Sequence, residues 1–280
     1  MASLEQTSSI TLQNTRISYS EAGKGEQVLC LHGNPGCKSI FSELMTKLEG
    51  TGIKLLAPDR PGHNSSEELL GDKKDLWHDT SVYSELIDAR LGGKSWVMGH
   101  SYGCLTALKL AIKHPDKVKG LVLINPYIVP DEPGASCSWI PTLAKGAFMG
   151  TIFGVLLPND YQEIFTQYLK GIFEPEKPTD DYLEKWLQRY TRFESIMAYL
   201  NDNNTLIKLE AELREELKKL SLPVYALFGG KDGLYELDRQ KEAISLIPNV
   251  KTETIDEAGH FIVNNNTDLC IKYLSKSILW

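Results

Sequence analysis

Lys94-Ser95-Trp96-Val97-Met98-Gly99-His100-Ser101-Tyr102-Gly103-Cys104-Leu105-Thr106-Ala107-Leu108-Lys109-Leu110-Ala111-Ile112-Lys113 decides the fold of this chain. The opening residues, Lys94 to Met98, read as a buried strand. Cys104 to Lys113 carry apolar residues at helical spacing. Between them stands Gly99-His100-Ser101-Tyr102-Gly103, a Gly-x-Ser-x-Gly pattern. A serine on a sharp strand-to-helix turn is forced into a strained backbone conformation. The flanking chain passes so close that the positions two before and two after call for glycine. Such a turn lifts the hydroxyl above the sheet. It also aims the Tyr102 amide, at a helix N-terminus, toward any oxyanion formed there. Without its setting the pattern is an ordinary turn; the strand before and the helix after give it meaning.

On either side of this stretch, β-like runs alternate with helical patterns. Ile17 to Ser20, Gln27 to Leu31, Lys54 to Ala57, Trp96 to Met98 and Gly120 to Ile124 read as strands. Ser39 to Leu48, Val82 to Leu91 and Leu105 to Ile112 read as helices. This alternation implies a parallel sheet with helices on both faces. From about Ile128 to Leu220 no strand pattern appears, and helical segments are broken at Pro141, Pro158, Pro175 and Pro178. The last of them, Thr205 to Leu220, sets Leu206, Leu209, Leu213, Leu217 and Leu220 on one face. Alternation resumes with strand Pro223 to Phe228, helix Leu237 to Leu246, strand Lys251 to Ile255 and helix Asp268 to Leu279. The expected organisation is an α/β core of residues 1–127 and 221–280, interrupted by a helical cap at 128–220.

The whole chain sets outer bounds. Its 280 residues are 42% hydrophobic and 24% charged, the composition of a globular protein, with net charge −7. With no basic field to attract phosphates, neither nucleic acid nor an anionic membrane is an expected partner. Five cysteines, an odd number without metal-ligand spacing, fit reduced thiols and a cytoplasmic location. Met1 to Ile10 carries no charged-then-apolar signal pattern. The longest apolar stretch, Gly146 to Leu157, is too short to span a bilayer, so no stable membrane insertion is expected.

A serine hydroxyl is a poor nucleophile until a base takes its proton, and a carboxylate commonly holds that base in the right tautomer. Two candidates follow Ser101 at strand ends. Asp232 lies in Phe228-Gly229-Gly230-Lys231-Asp232-Gly233, and His260 in Glu257-Ala258-Gly259-His260-Phe261. Asp256 and Glu257 are read as solvated loop residues, His63, His78 and His114 as surface or loop residues. No histidine pair has metal-ligand spacing, so no metal is expected.

With His32-Gly33-Asn34-Pro35, Asp59-Arg60-Pro61-Gly62-His63, the Ser101 turn, Asp232 and His260 in this order, the chain resembles the α/β-hydrolase family over nearly its whole length. The resemblance implies an α/β-hydrolase fold: a mostly parallel twisted sheet flanked by helices, with an inserted helical cap. It implies Ser101 as nucleophile, His260 as general base and Asp232 as the acid that orients it. The oxyanion hole would be the amides of Tyr102 and Asn34, since Pro35 has no amide hydrogen. Some relatives carry the acid after the strand that here ends at Ile124; this chain has Asn125, and an amide cannot stabilise an imidazolium as a carboxylate does.

His32-Gly33-Asn34-Pro35 also resembles haloalkane dehalogenases and epoxide hydrolases, which attack with an aspartate at the turn. Attack by serine at a saturated carbon would leave an ether with no carbonyl for water to cleave. Ser101 therefore suits acyl transfer. The expected reaction is hydrolysis of a small, mainly apolar carboxylic ester, thioester or lactone, without a cofactor, by a monomer or homodimer. A carbon–carbon bond hydrolase or cofactor-free perhydrolase is the alternative within the fold. The former usually carries a second glycine where Cys104 stands. A small-molecule receptor that keeps the triad is the alternative outside catalysis. Candidate substrate contacts are His32, His100, Phe148, Phe153, Phe165 and Phe261, although His32 and His100 also suit packing, and the phenylalanines of the insertion its own core.

Overall fold

The computed structural model describes residues 8–34, 36–69, 76–130, 166, 170, 173–175, 177, 178, 183, 184 and 193–278. Eight strands form one sheet: β1 (Ser8–Leu12), β2 (Thr15–Gly23), β3 (Glu26–Leu31), β4 (Ile53–Pro58), β5 (Ser95–His100), β6 (Val118–Ile124), β7 (Val224–Gly229) and β8 (Lys251–Ile255). Their order across the sheet is β1-β2-β4-β3-β5-β6-β7-β8. β2 runs antiparallel to β1 and β4; every other neighbouring pair is parallel. The helices with a described range are α1 (Ser42–Thr46), α2 (Thr80–Arg90), α3 (Tyr102–Lys113), α4 (Phe193–Leu217), α5 (Leu237–Ser245), α6 (Ile262–Asn265) and α7 (Thr267–Ile278).

Strands buried on both faces read as near-continuous apolar runs. β5 is buried at every position, and successive side chains point to opposite faces. Val97, Leu121, Leu123 and Phe228 join Tyr83 of α2, Leu105 and Leu108 of α3 and Ile244 of α5 on one side. Trp96, Met98, Val122, Ile124 and Leu227 join Phe41, Leu44 of α1, Ile262 of α6 and Leu274 of α7 on the other. Two layers of helix thus enclose the sheet, and the carboxyl ends of β3, β5, β6 and β7 carry the 32–34, 101, 125 and 230–232 turns.

Two features differ from the expectation. β1 is a strand that the sequence pattern does not mark. It pairs with β2 through Gln13 and Asn14, both at positive φ, as a two-residue primed hairpin turn requires. The short helix over Ser39 to Leu48 is split into a 3-10 turn, Lys38–Phe41, followed by α1. Ile128, Val129, Leu206, Leu209, Leu213, Leu217 and Leu220 belong to the same buried cluster as Leu121, Leu123 and Phe228 of the sheet. The spacing of those leucines is what lays α4 along that core.

Leu213 lies fully buried in this layer. Leu213→Ala is expected to lower unfolding free energy by about 2–5 kcal/mol in urea titrations, the cost of removing buried methyl groups and leaving a cavity. A loss under about 1 kcal/mol contradicts the burial of this face of α4 in the core.

Candidate active site

Ser101 has φ 55° and ψ −126°, a region that residues other than glycine avoid. Its neighbours hold it there. Its N–H donates to the Ile124 carbonyl at 3.0 Å, and its own carbonyl accepts from Cys104 N–H at 2.9 Å and Tyr127 N–H at 3.3 Å. A Cβ on Gly103 would stand 2.0 Å from the Leu31 carbonyl oxygen, and one on Gly99 2.6 Å from Cys104 Cα. Both glycines of the pattern are there for close passage, as the sequence implies. A Cβ on Gly33 would stand 2.8 Å from Ser101 Cβ, so the turn after β3 lies against the serine. Tyr102 opens α3, and Asn34 lies half-buried in that adjoining turn.

Asp232 and His260 come together at the ends of β7 and β8. His260 Nδ1–H donates to Asp232 Oδ2 at 2.7 Å, with both side chains buried. The other carboxylate oxygen accepts from Leu234 N–H at 3.0 Å. This arrangement leaves Nε2 of His260 unprotonated in the neutral ring, ready to accept a proton. The ring packs against His100, centroids 5.0 Å apart, against Tyr235 edge-on at 5.5 Å, and against Phe261 at 5.1 Å. His100 directly precedes Ser101 in the chain. Nε2–H of His100 donates to the His260 carbonyl at 2.9 Å. Burial, and then the neighbouring His260, lower the pKa of His100 to about 3, so its ring stays neutral.

The turn after β3 is clamped from below. His32 Nε2 accepts from Arg60 N–H at 2.9 Å, so its proton sits on Nδ1 and donates to the Gly33 carbonyl at 2.9 Å. Burial, followed by Arg60 and His63, holds its pKa well below the ordinary histidine value. Arg60 donates from Nε to the His32 carbonyl at 2.9 Å and from Nη2 to the Gly33 carbonyl at 3.3 Å. The same Nη2 meets Asp202 of α4 at 2.6 Å, and His63 Nε2 approaches that carboxylate oxygen at 3.3 Å. The guanidinium also lies over the Tyr102 ring, 4.8 Å from its centroid. Burial alone would raise the pKa of Asp202; Arg60 and His63 instead hold it below the usual carboxylate range. Asp59 forms a second buried pair with Lys38, Nζ to Oδ2 at 2.6 Å.

These placements correct two readings. His63 lies in the loop after β4 but not at the surface; it is buried beside Asp202, a partner 139 positions away that no local pattern announces. His32 has both ring nitrogens on backbone groups, so it shapes the turn and offers no hydrogen bond to a ligand. His100 likewise spends Nε2 on the protein. Phe261 is buried and stacks on Phe173, centroids 4.0 Å apart and planes 6° from parallel. Phe148, Phe153 and Phe165 lie outside the described residues. Asp256 and Glu257 are exposed, Glu257 being paired with Lys231. Among the described residues, no cluster of histidine, cysteine, aspartate and glutamate is placed to hold a metal ion, and no helix is long and apolar enough to cross a membrane.

His32, His63 and His100 are all buried with lowered pKa, burial being the largest cause for each. Unfolding returns each to about 6.5. Below that pH the unfolded chain takes up protons that the folded protein refuses, so stability is complete above about pH 6.5 and is lost as pH falls toward the depressed folded values. The melting temperature is expected to drop between pH 7 and pH 5. An equal or higher value at pH 5 contradicts neutral burial of these rings.

A family model described as the alpha/beta hydrolase fold matches residues 27–266. Lipase 3 of Moraxella sp. (strain TA144) is 26% identical over 242 residues, covering 84% of this chain and 72% of that protein. The pimeloyl-(acyl-carrier protein) methyl ester esterase of Neisseria meningitidis serogroup B / serotype 15 (strain H44/76) is 28% identical over 226 residues, covering 79% and 80% respectively. Among solved structures, the Cif epoxide hydrolase from Acinetobacter nosocomialis superposes with a TM-score of 0.82 at 20% identity, covering 99% of this chain and 90% of its own. That last likeness speaks for the fold alone. The family match spans most of the chain and agrees with the sheet order and the strained serine turn already described: the chain belongs to the α/β-hydrolase family.

Proposed function

We propose that this protein is a serine hydrolase that cleaves a small, mainly apolar carboxylic ester through an acyl-enzyme on Ser101. The observation that carries this reading is the buried 2.7 Å bond between His260 and Asp232, in a cluster whose next member, His100, adjoins the strained Ser101. An imidazole with one nitrogen protonated toward a carboxylate is the device that activates a hydroxyl. A lipase and a methyl ester esterase among its relatives support the same bond type.

In this proposal Nε2 of His260 takes the Ser101 proton as Oγ attacks the ester carbonyl. Asp232 stabilises the resulting imidazolium. The oxyanion is held by the amides of Tyr102, at the start of α3, and Asn34, in the turn braced by His32 and Arg60. Each such donor is worth about 10²–10³ in rate. The imidazolium then protonates the leaving alcohol. Water, deprotonated by the same nitrogen, releases the acid and restores Ser101. The expected cap, residues 128–220, would cover this site and select the acyl group.

Ser101→Ala is expected to cut turnover of p-nitrophenyl butyrate by at least about 10³-fold with folding intact. A fluorophosphonate should label wild-type Ser101 and nothing in the variant, as read by peptide mass spectrometry. Turnover retained in the variant refutes the reading.

A further inference from the structure

Asn125 follows β6, where its side chain cannot act as the acid. It is nonetheless completely buried and held at φ +45°, a left-handed conformation that asparagine tolerates better than most residues. Its Nδ2 donates to the carbonyls of Gly259 (2.9 Å) and His260 (2.7 Å). Its Oδ1 accepts from Gly229 N–H at 2.6 Å, and its backbone N–H donates to the Leu227 carbonyl at 2.8 Å. One amide therefore bonds both to the residue from which the Asp232 turn departs and to the backbone of the base itself. The junction is tight: a Cβ on Gly229 would stand 2.2 Å from the Gly259 carbonyl oxygen.

We propose that Asn125 is a positioning residue that sets the distance and orientation of His260 relative to Asp232. This rests on the function proposed above. The chemistry selects an amide. Two hydrogens on a single nitrogen satisfy two adjacent carbonyls while the oxygen of the same group takes an N–H. A carboxylate of the same shape donates nothing and would face both carbonyl oxygens. It would also add a second anion beside His260, competing with Asp232 for the imidazolium. A neutral amide joins the two loops while leaving a single anion to act on the ring. The titratable groups around that ring are Asp232, His100 and Tyr235, and all three are unchanged in Asn125 variants.

The test is steady-state hydrolysis of p-nitrophenyl butyrate by wild type, Asn125→Ala and Asn125→Asp. Misplacing a catalytic group by about 1 Å costs about 10²-fold, so kcat is expected to fall roughly 10–100-fold, with KM within about twofold. The acid limb of the kcat/KM profile should move to lower pH in Asn125→Ala, where the grip on the Asp232–His260 pair is looser. It should move to higher pH in Asn125→Asp, where an anion is added. A residue that merely holds the fold would lower the melting temperature without splitting the limbs in opposite directions. Folded variants with wild-type kcat and an unmoved limb overturn the proposal. Should neither variant fold, exchange in the wild type decides: slow exchange of both Asn125 Nδ2 protons by NMR supports the tie, and rapid exchange overturns it. If the wild type itself neither hydrolyses the ester nor reacts with fluorophosphonate at Ser101, the proposed function fails. If it does both while the variants behave as wild type, only the role of Asn125 fails.

Discussion

The contact between the Gly103 main chain and the Leu31 carbonyl sets the spacing from which the rest of the site follows. It lets the start of α3 press against the end of β3, with no side chain between them. The register of β3 on β5, Leu31 opposite Gly99, brings the two turns level. The turn after β3 and the first turn of α3 then stand side by side, which is the condition for two backbone amides to serve one oxyanion. The strain at Ser101 persists because hydrogen bonds from both neighbouring segments over-determine it.

Beneath this backbone arrangement lies a layer of buried charge. Asp59 with Lys38, Asp202 with Arg60, and Asp232 beside His260 are each enclosed with a partner. A lone ion in such a place would carry a desolvation cost that pairing offsets. His32, His63 and His100 stay neutral, which keeps the hydrogen-bond directions single-valued: His32 accepts from Arg60 N–H and donates to Gly33. Neutrality of these rings is thus part of the geometry of the turn after β3 and of the contact with His260.

What could be read from the chain depended on how local each cause is. The inner strands were legible because burial on both faces leaves unbroken apolar runs, as in Val97 and Met98 or Leu121 to Ile124. β1 was not, because a five-residue edge strand with alternate exposure resembles a polar tail. Ser101, Asp232 and His260 stood out as the right residue types at strand ends, and the buried Asp232–His260 bond joins two of them directly. The work of Asn125 left no mark in composition. Its bonds run to carbonyls and an N–H that every residue possesses, and only the fold decides which of them are near. His63 and Asp202 were hidden by separation along the chain.

The ion pair between Arg60 and Asp202 also constrains inheritance. A guanidinium cannot shed its proton to escape burial, and this one is only 3% exposed. A lineage that lost the acid at 202 would keep a stranded cation beside the turn after β3. One that lost the base would strand an anion on α4. Either step alone passes through a damaged intermediate, whereas exchange of both for apolar residues of matching volume need not. The two positions are therefore bound to evolve as one character, although 141 residues stand between them in the chain.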